Sequence, residues 1–313
     1  MNIVVIIPVY NKAATLSRAV DSVLQQDFKN FKIVIVDDAS TDGSSAIAQQ
    51  FASDRVEIIT SPKNQGVSAV RNIGFTYAQD HHFDYVALLD ADDYWQPNHL
   101  TTLMGLAKRF PESKVFATNY MLKRPRRVYK TKFSNLSDDA EQQLEFFFTN
   151  NFLNPILRCS TLMVETAALE KIGTFHTDYS HFEDVDWFIR IGMNVPVAFS
   201  QTVTVSIDET AQNRSDKVPM SERRFPDFEM YDAQTTVHEG LPKYLSLNRY
   251  AIALAYRMDN DIKNATKYQQ SVQSDHLNRK QTKLLNMSRL QLKSLKKTQR
   301  VLGNLGFHLR AGE

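Results

Sequence analysis

The first hundred residues alternate continuous apolar runs with runs whose apolar residues recur at helical spacing. Four apolar segments predict strands: IVVIIPV, FKIVIVDD, VEIIT and YVALLD. Three segments between them predict helices: TLSRAVDSVLQQ, SSAIAQQFA and VSAVRNIGFTYAQ. The β-branched first run is typical of a strand that is buried on both faces. This alternation predicts an α/β fold with a mainly parallel, doubly wound sheet.

After Leu100 the pattern is less regular, and the chain length predicts additions to one small core. A chain of 313 residues indicates two domains, or one α/β domain with extensions. The segments HFEDVDWFIRIGM and YLSLNRYAIALAYRM have helical periodicity. We therefore divide the chain into residues 1–100, residues 101–215 and a helical C-terminal extension over residues 216–313.

The composition is typical of a globular protein, with 42% hydrophobic and 11% aromatic residues. The single cysteine, Cys159, excludes an intramolecular disulfide and fits a reducing compartment. The first apolar run lacks a preceding basic segment and is interrupted by Pro8, unlike a signal peptide. No apolar stretch reaches the roughly 18 residues that span a bilayer. We therefore expect a cytoplasmic protein.

The last part of the chain is basic. Nine Lys or Arg and no acidic residue lie from Arg279 to Arg310, whereas the rest of the chain is weakly acidic. On a helical wheel drawn from Leu284, most apolar side chains share one face and most lysines share the opposite face. Such a helix fits the anionic inner surface of a membrane, or packs on its own domain or a partner subunit. With an acidic body and no nucleic-acid-binding motif, we expect no nucleic-acid partner.

Polar clusters follow three predicted strands: YNK, DDASTDGS and DADD. The carboxyl ends of parallel strands share one edge of the sheet, where ligands bind in open α/β folds. Asp38 is either a helix cap or a carboxylate that binds a ligand. Gly66 permits close backbone approach, and Arg71 pairs with a phosphate or an aspartate, or the segment is an ordinary turn. The glycine motifs of dinucleotide-binding and P-loop enzymes are absent, which excludes both classes.

The segment LLDADDYWQP concentrates three carboxylates after an apolar strand. Asp90 and Asp92 point to the same side of an extended chain, where like charges are unfavourable unless a cation compensates them. Mg²⁺ or Mn²⁺ would satisfy both, and the alternative is a helix cap with solvated neighbours. A D-x-D pair also occurs in haloacid-dehalogenase-like phosphatases, where Asp90 would be the nucleophile. Tyr94 stands where those enzymes need Thr or Val, which favours a nucleotide-sugar transferase; a non-catalytic sugar-nucleotide binder also stays open.

Five motifs, in order, resemble those of family 2 glycosyltransferases of the GT-A fold: IIPVYN, IVIVDDASTDGS, NQGVSAVRNIG, LLDADDYWQP and FEDVDWFIRI. The resemblance covers roughly residues 1–205. It implies an inverting enzyme that moves a hexosyl or N-acetylhexosaminyl group from a UDP-sugar to a glycan or lipid-linked saccharide in surface polysaccharide biosynthesis. The Q-x-x-R-W motif of processive synthases is absent, so we expect a non-processive transferase. Residues 1–100 would bind the nucleotide sugar, and residues 101–215 the acceptor.

The resemblance also implies a role for individual residues. The expected nucleotide-binding residues are Pro8, Val9, Tyr10, Asn11, Asp38, Asn64, Gly66, Arg71, Asp90 and Ala91. Asp90 and Asp92 would hold the divalent metal, Mn²⁺ or Mg²⁺, and Asp184 would be the general base that takes the proton of the acceptor hydroxyl. Candidates for sugar or acceptor contacts are Asp93, Trp95, Glu183, Trp187 and Arg214, with Asp186 as a supporting carboxylate.

Overall fold

Strand β1 (Ile3–Val9) lies inside the sheet and sends its side chains into two cores. Val4 and Ile6 pack in one core, whereas Val5 and Ile7 pack in the other, on the opposite face. Every residue of the strand is buried. A strand covered on both faces needs apolar side chains at every position, which explains the absence of alternation in this run.

The computed structural model describes residues 1–125, 127–211, 213 and 218–304, with the backbone alone for residues 299–304. In this part of the chain the strands are β1 (Ile3–Val9), β2 (Phe31–Asp37), β3 (Val56–Thr60), β4 (Tyr85–Leu88), β5 (Tyr94–Trp95), β6 (Val115–Arg124), β7 (Arg127–Lys130), β8 (Glu141–Gln143), β9 (Leu162–Glu165) and β10 (Val197–Asp208). The helices are α1 (Leu16–Leu24), α2 (Ser44–Gln50), α3 (Val67–Asp80), α4 (His99–Arg109), α5 (Leu169–Ile172), α6 (Glu183–Asn194), α7 (Leu241–Asp259), α8 (Ile262–Gln270), α9 (Arg279–Leu285) and α10 (Arg289–Asn304).

The described strands form one sheet in the order β3-β2-β1-β4-β9-β6-β10-β5, with β7 on β6 and β8 on β10. Strand β1 pairs in parallel with β2 and β4, and β2 pairs in parallel with β3. These pairings confirm the predicted α/β class and the parallel first half. Strand β9 is antiparallel to both β4 and β6, so the second half of the sheet is mixed.

Helices cover both faces of the sheet. Val20 of α1 and Leu103 of α4 pack in the core on one face. Phe75 of α3 and Leu245 of α7 pack in the core on the other face. Because both faces are covered, ligands can reach the sheet only at its edges and at the ends of its strands.

The C-terminal helices pack on the α/β part through aromatic side chains and are joined to one another by hydrogen bonds. The ring centroid of Tyr244 in α7 lies 5.5 Å from that of Phe148. Arg257 of α7 donates a hydrogen bond to the carbonyl oxygen of Met287, at 3.3 Å. The predicted helical C-terminal extension is therefore present, and it is joined to the rest of the molecule by packing.

The basic tail does not form the single amphipathic helix on which the helical wheel was drawn. Helix α9 ends at Leu285 and α10 begins at Arg289. Leu285 and Leu292 are each 6% exposed, whereas Leu290 is 78% exposed. The apolar side chains that the described tail buries pack on its own domain, and residues 305–313 lie outside the described residues. In the described part of the chain, no helix has the length and apolar character needed to cross a bilayer.

Candidate active site

A cavity of about 500 Å³ opens where strands β1, β2 and β4 end. It is lined by residues from at least seven separate segments of the chain. The predicted site residues among them are Pro8, Val9, Tyr10, Asp38, Asn64, Gly66, Arg71, Asp90, Ala91, Asp92, Asp93, Glu183 and Asp184. Because the parallel strands end at one edge, the topology joins clusters that lie far apart in the sequence.

Asp38 joins the end of β2 to the loop before α3. Its two carboxylate oxygens accept hydrogen bonds from the backbone N–H groups of Gln65 and Gly66, each at 2.8 Å. Gly66 adopts a φ of +88°, a backbone conformation that glycine favours. The residue that precedes α2 is Gly43, and the carboxylate that accepts from the first N–H of that helix, that of Ser44, belongs to Asp42, at 3.0 Å. Asp38 is therefore not the cap of α2, and it shapes the cavity by holding the Gly66 loop.

Asn11 does not line the cavity, although the sequence placed it among the nucleotide-binding residues. Its backbone N–H donates to Oγ of Ser40 at 3.0 Å, and its Oδ1 accepts from the backbone N–H of Thr41 at 2.7 Å. These bonds connect the loop after β1 to the loop after β2. We therefore replace the predicted nucleotide contact by a supporting role in the two loops.

The D-x-D carboxylates are each paired with a cation of the chain itself. Nη2 of Arg71 lies 2.8 Å from Oδ1 of Asp90, and Nζ of Lys12 lies 2.8 Å from Oδ2 of Asp92. The backbone N–H of Asp90 also donates to Oγ of Ser160 at 3.1 Å. Arg71 thus pairs with an aspartate, one of the two partners that the sequence allowed. The two cations offset the repulsion between the neighbouring carboxylates.

Asp93 is held by hydrogen bonds on both of its carboxylate oxygens. Ser160 Oγ donates at 2.6 Å and the backbone N–H of Asp208 donates at 2.9 Å. Burial, followed by the charges of Asp90 and Asp92, raises the pKa of Asp93 to about 8. Since both oxygens have protein partners, the contacts of Asp93 support an orienting role and not a sugar contact.

Asp90 and Asp92 fit a divalent cation better than Asp93 does. Within the described residues, Oδ2 of Asp90 and Oδ1 of Asp92 accept no hydrogen bond, and carboxylate oxygens are the ligands that Mg²⁺ and Mn²⁺ prefer. The same part of the chain contains no group of three or more His, Cys, Asp or Glu side chains that could hold a metal. These two aspartates could thus supply only part of a coordination shell.

Two of the three acidic residues in the first turn of α6 are engaged by cations. Oε1 of Glu183 lies 3.3 Å from Nη1 of Arg71. Burial, and then the charge of Asp184, raises the pKa of Glu183 to about 7. Asp186 is fully buried and pairs with Nη2 of Arg190 at 2.9 Å. Asp186 therefore belongs to the core, and its predicted supporting role in the site is corrected to a structural one.

Asp184 is the remaining acidic residue of this turn, and it lines the cavity. It has no ion-pair partner within 4.0 Å among the described residues. Its Oδ1 accepts a hydrogen bond from the backbone N–H of Val185 at 2.8 Å. Asp184 is thus a half-buried carboxylate at the cavity wall whose charge no neighbouring cation neutralises by direct contact.

Both tryptophans point into the protein core. The indole N–H of Trp95 donates to the carbonyl oxygen of Ser160 at 2.7 Å, and that of Trp187 donates to Gly173 at 3.0 Å. Trp95 is 3% exposed and Trp187 is fully buried, with its ring 4.5 Å from that of Phe175. The predicted sugar contacts of these two residues are therefore wrong for this conformation, because neither ring has a free face.

Among the lining residues that the sequence reasoning missed are Lys12, Arg158 and Ser160. Lys12 pairs with Asp92 across 80 positions of sequence, and Ser160 reaches Asp93 across 67 positions. No local pattern marks such long-range partners. The predicted contact Arg214 lies outside the described residues.

The sequence profile of Glycosyl transferase family 2 matches residues 4–163, which include the D-x-D segment. One curated relative is the UDP-Glc:alpha-D-GlcNAc-diphosphoundecaprenol beta-1,3-glucosyltransferase WfgD of Escherichia coli, 32% identical over 96 residues, which are 31% of this chain and 37% of that protein. Another is the glycosyltransferase GlyA of Streptococcus pneumoniae, 37% identical over 102 residues, which are 32% of this chain and 14% of that protein.

The chain spans less than two thirds of the length of these relatives, and the matched share ranges from 14% to 61% among the curated proteins. Among solved structures, that of S. aureus TarS 1-349 in complex with UDP-GlcNAc aligns with a TM-score of 0.60 and 16% identity. The alignment covers 87% of this chain and 91% of TarS 1-349. This likeness supports the GT-A fold, and the profile match over half of the chain assigns the family. The chain belongs to glycosyl transferase family 2.

Proposed function

We propose that the protein is an inverting, metal-dependent glycosyltransferase. It moves a sugar from a UDP-sugar to a glycan or lipid-linked saccharide in surface polysaccharide biosynthesis. The observation that carries this proposal is the set of residues that line one cavity. The Gly66 loop, the D-x-D aspartates and the carboxylate of Asp184 all line it. Donor, metal and base functions would thus lie within one space of about 500 Å³.

The nucleotide would bind at the end of the cavity formed by the loops after β1, β2 and β3. Tyr10 comes from the first loop, Asp38 from the second and Gly66 from the third, and Pro8 lies near the end of β1. Tyr10 is 40% exposed, so its ring is accessible to a planar base. The absence of a Cβ at Gly66 allows a ligand to approach the backbone closely.

Asp90 and Asp92 would hold Mn²⁺ or Mg²⁺ through their carboxylate oxygens. Such a metal stabilises the negative charge that develops on the departing nucleotide. Before metal binds, Arg71 and Lys12 hold the two carboxylates in place at 2.8 Å. The free oxygen on each aspartate is the group that the cation would use.

Asp184 is the carboxylate best suited to act as the general base. Glu183 is paired with Arg71 and Asp186 with Arg190, whereas Asp184 has no ion-pair partner among the described residues. In a single displacement, the acceptor oxygen bonds to the anomeric carbon while that carbon's bond to the diphosphate oxygen breaks. Asp184 would accept the proton of the acceptor hydroxyl, and UDP would leave with the electron pair.

The ligands bound in the similar solved structures support UDP as the nucleotide. TarS 1-349 has been solved with UDP and with UDP-GlcNAc, at TM-scores of 0.59 and 0.60 to this chain. The name of WfgD specifies a UDP-glucose donor and a diphosphoundecaprenol-linked acceptor. We propose the same classes of donor and acceptor for this chain, without assigning its sugar.

A panel of UDP-sugars with Mn²⁺ tests the proposal, with UDP release as the signal. The wild type should release UDP from at least one donor, and Asp92→Asn and Asp184→Asn should each lower the rate by about a hundredfold or more. Binding of UDP without turnover of any donor would favour a non-catalytic binder. Release of inorganic phosphate that depends on Asp90 alone would favour a phosphatase.

Contact with an anionic membrane is a separate proposal for α10. Lys293, Lys296 and Lys297 are exposed on this helix. Replacing all three by Gln should abolish co-sedimentation with phosphatidylglycerol vesicles, because each surface cation contributes about 1 kcal/mol of attraction. Replacing Lys108, Lys171 and Lys263 by Gln removes equal charge elsewhere and serves as the control. Equal binding of the two triple variants would overturn this proposal.

A further inference from the structure

Three arginines line the cavity, and the surroundings of two of them, Arg71 and Arg158, differ. Arg71 lies 2.8 Å from a carboxylate oxygen of Asp90 and 3.3 Å from one of Glu183. Arg158 forms no ion pair within 4.0 Å with any described residue. Its guanidinium instead lies over the ring of Tyr120, with CZ 5.7 Å from the ring centroid. Arg158 is thus a lining cation without a carboxylate partner.

The unpaired state of Arg158 is energetically unusual for a cation at a cavity wall. Its Nε is buried and has no hydrogen-bond partner among the described residues. Burial acts to lower the pKa of Arg158, but Tyr120, Asp184 and Glu209 outweigh it and the pKa is raised. The guanidinium therefore keeps its charge. Withdrawing such a group from water without an anionic partner is unfavourable, and a bound anion would remove this cost.

Arg158 lies within electrostatic range of the proposed base. The carboxylates that act on its charge are those of Asp184 and Glu209. Arg71 is instead held by ion pairs with Asp90 and Glu183. Of these two arginines, Arg158 is thus the one whose charge is left for a ligand. An anion bound at Arg158 would lie near Asp184, the carboxylate proposed to take the proton of the acceptor hydroxyl.

We propose that Arg158 binds an anionic group, a phosphate or a carboxylate, on the acceptor saccharide. This inference rests on the proposed function, since it takes Asp184 to mark the acceptor end. A guanidinium presents two parallel N–H donors to such a group, whereas lysine presents a single point of charge. The Tyr120 ring supports the guanidinium through a cation–π contact, which limits its movement. Arg158 would thereby select charged over neutral acceptors.

Calorimetry on the full chain, saturated with UDP and Mn²⁺, tests this inference. The probes are glucose 6-phosphate, glucuronate and neutral glucose. The wild type should bind at least one charged probe about tenfold more tightly than glucose, and Arg158→Gln should abolish this preference. Arg158→Lys should keep only part of it. If Arg158→Gln does not fold, Arg158→Lys decides alone, and a preference equal to that of the wild type would overturn the inference.

A second comparison separates an acceptor anion from a donor anion. The ratio of the affinities for UDP-glucuronate and UDP-glucose should be the same in the wild type and in Arg158→Gln. A selective loss of UDP-glucuronate affinity would move the anion to the donor sugar and overturn the acceptor assignment. No preference for charged probes in the wild type would also overturn it.

The control is Lys108→Gln, which removes one positive charge from an exposed position on α4. It should leave every affinity unchanged. The affinity for UDP itself distinguishes a failure of the proposed function from a failure of the proposed role of Arg158. If UDP does not bind the wild type, the proposed function fails; if UDP binds and charged probes show no preference, only the role of Arg158 fails.

Discussion

Nζ of Lys12 lies 2.8 Å from Oδ2 of Asp92 and 3.1 Å from the carbonyl oxygen of Asn213. This lysine therefore connects the loop after β1, the D-x-D segment and the chain beyond β10. The Lys12 and Asp92 side chains are only 16% and 11% exposed, so their attraction is weakly screened by solvent. A metal that binds Asp92 has to compete with this ammonium group.

Lys12→Met should therefore bind Mn²⁺ more tightly than the wild type in the absence of nucleotide. Removal of one competing cation at close range should raise the affinity by about threefold to tenfold. Titration followed by electron paramagnetic resonance of free Mn²⁺ measures the change. Lys108→Met, at an exposed helix position, is the control and should not change the affinity. Weaker Mn²⁺ binding by Lys12→Met would contradict competition at Asp92.

The titration of Glu183 should lower the unfolding free energy of the wild type as the pH rises. The decrease should fall between the pKa of Glu183 in the unfolded chain and its pKa in the folded protein. Its pKa is raised from 4.5 to about 7, so the folded protein holds a proton that the unfolded chain releases. The unfolding free energy therefore loses this contribution as the pH rises from about 4.5 to about 7. Glu183→Gln has no such titration, and its stability relative to the wild type should increase by about 2 kcal/mol across the window.

Urea unfolding at a series of pH values measures this difference. Glu170→Gln, at an exposed position of α5, is the matched control. Its unfolding free energy relative to that of the wild type should not change with pH. If the difference between Glu183→Gln and the wild type is also independent of pH, the pKa of Glu183 is the same in the folded and unfolded states, which would contradict this prediction.

Substitution of Asp186 should lower the stability of the protein, whereas substitution of Asp184 should lower its activity, although the two residues lie two positions apart. Asp186→Asn leaves Arg190 without its buried carboxylate, so the unfolding free energy should fall by about 3 kcal/mol. Its affinity for UDP should not change. Asp184→Asn removes no ion pair, so stability should change little while the transfer rate collapses. Thermal unfolding, calorimetry and a transfer assay on both variants test this contrast, and equal loss of activity with intact stability in both would refute it.

Gly74 and Gly105 form a matched pair for the packing of helices on the sheet. A Cβ at Gly74 would lie 2.4 Å from Cγ2 of Ile6 in β1, whereas a Cβ at Gly105 meets nothing within 4 Å. Gly74→Ala should destabilise the protein by about 1 to 3 kcal/mol through overpacking. Gly105→Ala should stabilise it by about 0.5 to 1 kcal/mol, because alanine is the better helix former. Urea unfolding of both variants measures the two changes in unfolding free energy. Changes of the same sign would contradict the close packing of α3 on β1.

The first half of the fold could be predicted because its signals are local. In β1 a continuous apolar run defines a strand buried on both faces, and in α1 the spacing of Leu16, Val20 and Val23 defines a helix. Strands β5, β6, β8, β9 and β10 depend on long-range pairings instead. Strand β5 is two residues long and pairs only with residues Val205 and Ser206 of β10. A strand of that length has no periodicity from which to predict it.

The same distinction explains the outcome for the candidate site. Asp38 and Asp90 could be placed at one edge because each follows a recognisable strand, whereas Asp184 was added by the resemblance to the family. The direction of a large side chain is set by tertiary packing, which is why Trp95 and Trp187 were assigned to sugars and lie in the core. The pairing of Lys12 with Asp92 and the isolation of Arg158 appear only in three dimensions.

Calorimetric titration of the full chain with UDP, with and without Mn²⁺, tests the central claim most directly. The wild type should bind UDP, and Mn²⁺ should raise the affinity by about tenfold or more, because a cation held by the D-x-D carboxylates would attract the diphosphate. In Asp92→Asn this effect of Mn²⁺ should be lost, while the weaker metal-independent binding is kept. No binding of UDP to the wild type at any Mn²⁺ concentration would contradict the account.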